Sequence, residues 1–278
     1  MILIADSGST KTAWALAGKR GTVVTEGLNP HFSTDEAFLA ACAEVRNRFG
    51  IKREGLAIHF YGAGCGSEVQ RGRVRELLQK AFGTGNVEVE TDMLGACRAV
   101  CGTEAGIVGI LGTGSNACYY DGRAIVCQAF STGWILGDEG SANHVGRHLL
   151  HGYLTGCMPP ELQKRFASDY PLSNEQFMDK VYHEPHANRF LASLAPFALR
   201  NYRFAYCYFA VLDSLKLWYF HQLADLKCRF GCREVSIAGG FGAAIGKGTI
   251  EAFEEECKVK VVRRVADPVG GLVRYHSV

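Results

Sequence analysis

The sequence predicts an α/β protein built from two lobes. Apolar strand candidates alternate with amphipathic helices along residues 1–105, which is the pattern of α/β proteins. A strand, glycine turn and second strand open the chain, and the same layout begins again at Ile107, as in an internal duplication. We therefore expect an N-terminal lobe over residues 1–105 and a C-terminal lobe over 106–278, with a helical insertion at about 141–230.

The composition is that of a globular protein with a sizeable core. Of the 278 residues, 47% are hydrophobic and 21% charged, with a net charge of +2. So small a charge predicts neither a nucleic acid nor an anionic membrane as partner. The N-terminus lacks a basic region and a long apolar run, so we expect no secretory signal. Asp213 and Lys216 interrupt the most apolar helical stretch, Phe204 to Phe220, and we expect a cytoplasmic location.

The 11 cysteines favour core packing over metal binding. Cys97 and Cys101, like Cys228 and Cys232, are spaced so that one helix face could carry both thiols. No CxxC motif and no cysteine–histidine pattern typical of zinc accompanies them.

Strands and helices alternate in the first lobe. Strands are predicted at Met1–Ala5, Lys11–Ala17, Gly21–Glu26, Leu56–Tyr61 and Val87–Glu90. Ser33 to Glu36 form a capping box ahead of a helix that reaches Phe49. A second helix ends at Gly83, and a third spans about Leu94 to Val100.

The second lobe begins with strands at Ile107–Leu111 and Asn116–Tyr120. Its helices are separated at Pro159-Pro160, Pro171 and Pro185. A late strand at Val235–Ala238 precedes a helix from about Ala243 to Cys257.

Three glycine-rich turns follow apolar strands. In Asp6-Ser-Gly-Ser-Thr-Lys-Thr12, backbone N–H groups and hydroxyls can wrap a phosphate, and Asp6 could hold Mg²⁺ through water. The spacing is not that of a P-loop. Leu111-Gly-Thr-Gly-Ser-Asn116 is a second such turn. In Ile237-Ala-Gly-Gly-Phe-Gly242, the glycines would let a flat ring lie against the backbone.

These three segments resemble the first phosphate, second phosphate and adenosine segments of the actin-like ATPase superfamily. Thr91-Asp92-Met-Leu-Gly-Ala96 resembles the strand end that carries its catalytic Asp, and Gly137-Asp-Glu-Gly-Ser141 resembles a signature of N-acetylglucosamine kinases. That family also contains the ATPase activators of benzoyl-CoA reductase and 2-hydroxyacyl-CoA dehydratases. The resemblance implies a two-lobed, ribonuclease H-like fold with a cleft between the lobes, and ATP and Mg²⁺ as cofactors.

The resemblance also implies a role for each matching residue. Asp92 would be the general base that takes the proton of a sugar hydroxyl. The nucleotide would contact Asp6, Gly8, Ser9, Thr10, Lys11, Gly112, Thr113, Gly114, Gly239 and Gly240. The sugar would contact Asn29, Asp92, Gly133, Trp134 and Asp138.

Each of the polar and aromatic side chains also has a structural interpretation. Asp92 and Asp138 could each be a helix N-cap, since Asp is favoured there. Asn29 could form the turn before Pro30, Lys11 could be solvated, and Trp134 could be core.

We therefore predict a homodimeric kinase that transfers phosphate from ATP to an amino sugar, with N-acetylglucosamine going to its 6-phosphate. One alternative is a kinase for glucosamine or another amino sugar. Another is the activator type, whose iron–sulfur cluster needs cysteines in a glycine-rich segment. A third is a non-catalytic sugar sensor.

Overall fold

The computed structural model describes residues 1–52 and 55–277. They divide into two compact units. Unit 1 comprises Met1–Ala105, Tyr120–Ile125 and Asp267–Val278, and unit 2 comprises Gly106–Tyr119 and Val126–Ala266. The C-terminal segment thus packs in unit 1, whereas the sequence assigned it to the second lobe.

Ten strands and thirteen α-helices are found in the described residues. The strands are β1 Ile2–Ser7, β2 Lys11–Leu16, β3 Val23–Glu26, β4 Ala57–Gly62, β5 Val87–Thr91, β6 Gly106–Leu111, β7 Ser115–Tyr120, β8 Ile125–Gln128, β9 Glu234–Ala238 and β10 Lys260–Val265. The helices are α1 Asp35–Phe49, α2 Glu68–Phe82, α3 Asp92–Cys101, α4 Gly133–Leu136, α5 Ala142–Leu154, α6 Pro160–Asp169, α7 Asn174–Tyr182, α8 Ala187–Arg200, α9 Ala205–Trp218, α10 Ala224–Phe230, α11 Gly240–Ala244, α12 Lys247–Cys257 and α13 Val269–His276. A π-helical turn, Tyr219–Leu223, joins α9 to α10.

Unit 1 is built on a five-stranded sheet in the order β3-β2-β1-β4-β5. The first three strands are antiparallel neighbours, and β1, β4 and β5 run parallel. Ile4, Ala13 and Tyr61 lie under α13, packed against Val269 and Leu272. This apolar contact explains why the C-terminal segment belongs to unit 1.

Two helix starts in unit 1 differ from the sequence prediction. Thr34, not Ser33, caps α1, because the Ser33 hydroxyl donates to the Gly27 carbonyl instead. The predicted capping box is therefore wrong. Helix α3 begins at Asp92, two residues earlier than predicted, because the Thr91 hydroxyl accepts a hydrogen bond from Leu94 N.

Unit 2 repeats the strand order of unit 1. Its sheet reads β8-β7-β6-β9-β10 from the edge that corresponds to β3, and β6, β9 and β10 are parallel. The predicted duplication is thus supported strand by strand. Strands β8 and β10 were not predicted, since β8 is only four residues long and β10 carries two arginines within an otherwise valine-rich run.

Helices fill residues 141–230, as predicted, with breaks at the expected prolines. The helix predicted from Ala243 to Cys257 is instead two helices, because Ile245 and Gly246 have extended backbone. No helix of the described residues is long and apolar enough to cross a membrane.

Candidate active site

The first glycine turn lies at the end of β1 in unit 1. Gly8 N donates to Lys11 O at 3.0 Å and closes the turn. Below it, the Ser7 and Thr12 hydroxyls are 2.8 Å apart and both lie within hydrogen-bonding distance of Leu28 N. A Cβ on Gly27 would lie 2.6 Å from the carbonyl oxygens of Gly8 and Ser9, so only glycine allows this approach to the turn.

Three aspartates meet beside this turn. Asp6 is the penultimate residue of β1, Asp92 starts α3, and Asp267 precedes α13. Burial and the negative charges of Asp92 and Asp267 raise the pKa of Asp6 to about 7, while Lys11 opposes the shift. Lys11 Nζ is 3.9 Å from Asp267. The sequence analysis missed Asp267, whose only signal was an Asp-Pro pair after a strand-like run.

Asp92 is not the N-cap of α3, because Thr91 holds that position. The carboxylate of Asp92 accepts a bond from Met93 N at 2.9 Å. Burial raises the pKa of Asp92, against the effect of that backbone hydrogen bond. The helix-cap interpretation of Asp92 is therefore wrong, and its role in chemistry stays a prediction.

Unit 1 suits a hydrated divalent cation better than a fully caged one. Among the described residues, no group of three or more His, Cys, Asp or Glu side chains is arranged to hold a metal ion. Asp92 and Asp267 nevertheless both raise the pKa of Asp6, which indicates excess negative charge around this carboxylate. Mg²⁺ keeps several waters and uses one or two carboxylates together with phosphate oxygens, so these residues fit Mg²⁺.

Asn29 forms the turn that the structural interpretation proposed. Its Oδ1 accepts a hydrogen bond from His31 N at 2.9 Å, and its backbone oxygen accepts one from Ser33 N at 2.8 Å. The side chain is buried against Gly64, where a Cβ would lie 2.4 Å from Oδ1. The Nδ2 group forms no hydrogen bond to the described part of the chain, so it can still donate to a substrate.

The second glycine turn joins β6 to β7 in unit 2. Gly112 N donates to Gly114 O at 3.0 Å, and Gly112 O accepts from Ala142 N at 2.9 Å. Asn143 donates from both its backbone N and its Nδ2 to Thr113 O, at 3.1 and 2.7 Å. The start of α5 thus holds this turn in place.

Asp138 lies against the second turn. Its carboxylate accepts hydrogen bonds from Ser115 N at 3.2 Å and from Asn143 Nδ2 at 2.9 Å. A Cβ on Gly114 would lie 2.7 Å from Asp138 Oδ2, and burial raises the pKa of Asp138. The N-cap interpretation is wrong, because Ser141 caps α5.

The third glycine segment lies next to the second. At Gly239, φ is +118° and a Cβ would lie 2.5 Å from Leu111 O, so the two turns touch through their backbones. At Gly240 a Cβ would meet nothing within 4 Å. Unit 2 therefore brings together the predicted second phosphate segment, the adenosine segment and Asp138.

Sequence analysis predicted a helical stretch from Phe204 to Phe220 but missed the polar side chains with which α9 and the π turn support this part of unit 2. Ser214 on α9 accepts a hydrogen bond from Gly140 N at 2.9 Å and lies 2.8 Å from His144 Nδ1. Burial, with the nearby charge of Arg147, lowers the pKa of His144 to about 4, so Nδ1 can accept the Ser214 hydroxyl hydrogen. In the π turn, Gln222 Nε2 donates to Ser115 Oγ at 3.3 Å. Buried polar side chains at helical spacing were the missed signal.

Gly133 and Trp134 begin the short helix α4. Trp134 is half-buried and packs against the core of unit 2, as the core interpretation expected. Arg147 donates to the carbonyls of Trp134 and Ile135 at 3.0 and 2.8 Å, which fixes the segment before Asp138. A contact of Gly133 or Trp134 with a sugar stays a prediction.

The cysteines follow the packing interpretation in part. Cys97 and Cys101 are buried on α3, but Cys232 lies beyond the end of α10, so it shares no helix face with Cys228. Cys65 lies in the glycine-rich segment Gly62–Gly66, which sequence analysis did not single out. This thiol is fully buried, and burial raises its pKa to about 12.

Comparisons with known proteins agree with this geometry. The BadF/BadG/BcrA/BcrD ATPase family matches residues 5–202. A candidate N-acetylglucosamine kinase from Porphyromonas gingivalis has 34% sequence identity and a TM-score of 0.92, over 99% of this chain and 98% of that one. A candidate N-acetylglucosamine kinase from Chromobacterium violaceum has 18% identity and a TM-score of 0.73, over 99% and 98%.

A ROK family glucokinase from Streptomyces griseus, solved with glucose and AMPPNP, has 15% identity and a TM-score of 0.59, over 99% and 98% of the two chains. At such identities the likeness concerns the fold alone, and it confirms the predicted actin-like fold. A sequence comparison with curated proteins gave no match.

Proposed function

Because the chain belongs to the BadF/BadG/BcrA/BcrD ATPase family, we propose that it is an ATP-dependent sugar kinase. One observation carries the proposal: Asp92 is a partly buried carboxylate with a raised pKa that is not needed as a helix cap. It lies beside Asp6 and next to a turn suited to phosphate. Such a carboxylate is the group that a hydroxyl-phosphorylating enzyme requires.

Asp92 would act as the general base. A sugar hydroxyl becomes an effective nucleophile when a carboxylate accepts its proton during attack, which contributes ~10²–10⁴-fold. Burial raises the pKa of Asp92, and this makes its carboxylate a stronger base. Met93 N donates its hydrogen bond to Oδ1 of Asp92, so Oδ2 is the oxygen proposed to accept the proton.

Asp6 would hold Mg²⁺ through water, with Asp267 as a further acidic partner. When bound, Mg²⁺ neutralises the charge that develops on the transferred phosphoryl group. Lys11, 3.9 Å from Asp267, would balance the acidic side of the first turn. The backbone N–H groups and hydroxyls of Ser9 and Thr10 would bind phosphate oxygens, and Gly8, without a side chain, would let the phosphate approach the turn closely.

Unit 2 would bind the rest of the nucleotide. Gly112, Thr113 and Gly114 offer a second anion-binding turn, held by Asn143. Gly239 lies against that turn and Gly240 leaves open space beside it, which supports an adenosine contact there.

We further propose that the substrate is an amino sugar, with N-acetylglucosamine first. The Porphyromonas gingivalis protein with 34% identity is a candidate N-acetylglucosamine kinase, which supports this choice. The Asp138 carboxylate accepts two hydrogen bonds within the protein. Its remaining lone pairs can accept hydrogen bonds from sugar hydroxyls. Asn29 Nδ2, Gly133 and Trp134 are the other proposed contacts.

The activator-type function would need a cluster-binding cysteine in a glycine-rich segment, and Cys65, which lies in such a segment, does not support it. Cys65 is flanked by glycines, but it is fully buried and its pKa is raised to about 12. An iron–sulfur cluster needs cysteine sulfurs that it can reach, and this sulfur is enclosed within unit 1.

The test is a phosphorylation assay with ATP and Mg²⁺ across N-acetylglucosamine, glucosamine and glucose. We expect the highest kcat/KM for N-acetylglucosamine, with the 6-phosphate as product. A better rate with glucosamine or glucose would overturn the specificity and leave the kinase assignment intact. Inertness towards a wide amino-sugar panel would overturn the kinase assignment itself.

A further inference from the structure

Five side chains in unit 1 form a closed circle of contacts that the proposed reaction does not use. The hydroxyl oxygen of Tyr61 lies 2.7 Å from Arg98 Nη1 and 2.7 Å from His276 Nε2. Glu88 accepts a hydrogen bond from Arg98 Nη1 at 3.0 Å and lies 2.7 Å from His59 Nδ1. The imidazoles of His59 and His276 are stacked, with centroids 3.7 Å apart, and close the circle. We call these five side chains the polar ring.

Two members of the polar ring come from helices that begin at the acidic group beside the first turn. Arg98 lies in the last turn of α3, whose first residue is Asp92. His276 is the last residue of α13, which Asp267 immediately precedes by one proline. The polar ring therefore joins the far ends of the two helices whose near ends carry Asp92 and Asp267.

The position of Asp267 depends on the position of α13. Asp267 Oδ1 accepts a hydrogen bond from Val269 N at 3.2 Å, which ties the carboxylate to the first turn of the helix. A Cβ on Gly271 would lie 2.4 Å from the carbonyl oxygen of Ala99, so α13 and α3 are in direct backbone contact. A helix of eight residues is only about 12 Å long. A shift at its C-terminal end is therefore transmitted to Asp267.

The hydrogen bonds of the polar ring have one consistent direction. Arg98 can only donate, so the Tyr61 oxygen accepts from it and the Tyr61 hydrogen points to His276 Nε2. His276 must then be a neutral acceptor. Burial, and to a smaller extent the neighbouring His59, lowers the pKa of His276 to about 4, which keeps it neutral at physiological pH.

Stability alone is a poor explanation for these polar groups. Arg98 Nε is buried and has no hydrogen-bond partner in the described part of the chain, and an unpaired buried donor is unfavourable. Apolar side chains of similar volume often stabilise a fold at least as well as a buried ion pair. What the polar ring adds is direction, because its hydrogen bonds allow only one placement of α13 against α3.

We propose that the polar ring is a positioning device, which holds α3 and α13 in one register so that Asp92 and Asp267 lie beside Asp6. Tyr61 is its central member, because its hydroxyl joins the two helices. The inference rests on the proposed function, since it takes these aspartates as the groups that surround Mg²⁺ and phosphate. The ring members themselves are positioning residues and touch neither.

The contribution of Mg²⁺ to nucleotide binding measures the position of the acidic group. Titration calorimetry of the full chain with ADP, once in Mg²⁺ and once in EDTA, gives the factor by which the cation strengthens binding. Tyr61→Phe removes the hydroxyl and keeps the aromatic packing. We expect it to lower this factor about tenfold and to leave the affinity in EDTA unchanged. Tyr170→Phe, which removes a hydroxyl bonded to Ser193 O in unit 2, is the matched control and should change neither value.

Asp267→Asn shows whether the polar ring acts through Asp267. This variant should lower the Mg²⁺ factor by itself, and the addition of Tyr61→Phe should lower it no further, because the ring then has no carboxylate left to position there. Circular dichroism checks that each variant is folded. If Tyr61→Phe is unfolded, His276→Ala at the end of α13 replaces it, with the same expected loss.

A folded Tyr61→Phe variant with an unchanged Mg²⁺ factor would overturn the proposal. Equal losses from Tyr61→Phe in the native and Asp267→Asn backgrounds would also overturn it, as would a native chain whose ADP affinity ignores Mg²⁺. Sugar phosphorylation is measured separately. A chain that phosphorylates no sugar but shows the expected calorimetry would refute the kinase function and leave the positioning role intact.

Discussion

Gly239 and Gly240 are neighbours, but a side chain at each would meet a different environment. Gly239 has φ +118°, and a Cβ there would lie 2.5 Å from the carbonyl oxygen of Leu111. Gly240 has open space around its missing Cβ. Substitution at the two positions therefore separates an effect on the fold from an effect on nucleotide binding.

The magnitudes follow from this geometry. For Gly239→Ala, the unfavourable backbone conformation costs about 1–3 kcal/mol, and the clash with the backbone of β6 adds about 1–3 kcal/mol. Their sum is a large part of the 5–15 kcal/mol that stabilises a typical domain. Gly240→Val should change the free energy of unfolding by less than about 0.5 kcal/mol, because nothing in the fold is displaced.

Urea unfolding and titration calorimetry with ATP measure the two effects. Gly239→Ala should lower the free energy of unfolding, whereas Gly240→Val should leave it unchanged and raise the Kd for ATP by about tenfold or more through steric exclusion. A Gly240→Val variant that binds ATP normally would refute the placement of adenosine at this segment. An unaltered stability of Gly239→Ala would refute the packing argument.

Three further predictions follow from the site and the cysteines. Thr113→Val should weaken ATP binding in calorimetry while leaving the fold intact, because Asn143 holds the backbone of this turn; unchanged affinity would remove the second phosphate contact. The pKa of His144 is lowered from 6.5 to about 4, so between these pH values the unfolded chain binds a proton at His144 that the folded chain does not. The free energy of unfolding should therefore fall by about 1–2 kcal/mol, after discounting for solvent exposure, as pH drops from 6.5 to 4. His144→Gln should lose this part of the pH dependence, and an equal slope in both proteins would contradict the prediction. Protein purified anaerobically should contain no stoichiometric iron, because the Cys65 thiol is buried; a visible charge-transfer band with bound iron would favour the activator type.

Local patterns in the sequence were sufficient for most of the fold. Periodic apolar residues and glycine turns predicted all five strands of unit 1, and prolines predicted the breaks between helices in unit 2. One error occurred where a side chain had two partners to choose from. Ser33 bonds to Gly27 O and leaves the cap of α1 to Thr34, and sequence spacing cannot foresee that choice.

The candidate site was predictable only where its residues form motifs. Asp6, Asp92 and Asp138 lie in recognisable segments, but Asp267 and Ser214 are distant in sequence and reach the site through tertiary packing. The π turn that directs Gln222 inward towards Ser115 also has no signature in a single sequence. Such supporting contacts come from the packing of α9 and α13, which local patterns do not specify.

The most direct test of the kinase account is the turnover of Asp92→Asn. The amide keeps the shape of the side chain but cannot accept the hydroxyl proton, so kcat for sugar phosphorylation should fall by ~10²–10⁴-fold with ATP affinity unchanged. Thr91→Ala is the control for the helix start alone, since loss of that cap costs about 1 kcal/mol of stability. A folded Asp92→Asn variant that keeps turnover near that of the native protein would contradict the assignment of Asp92 as the base.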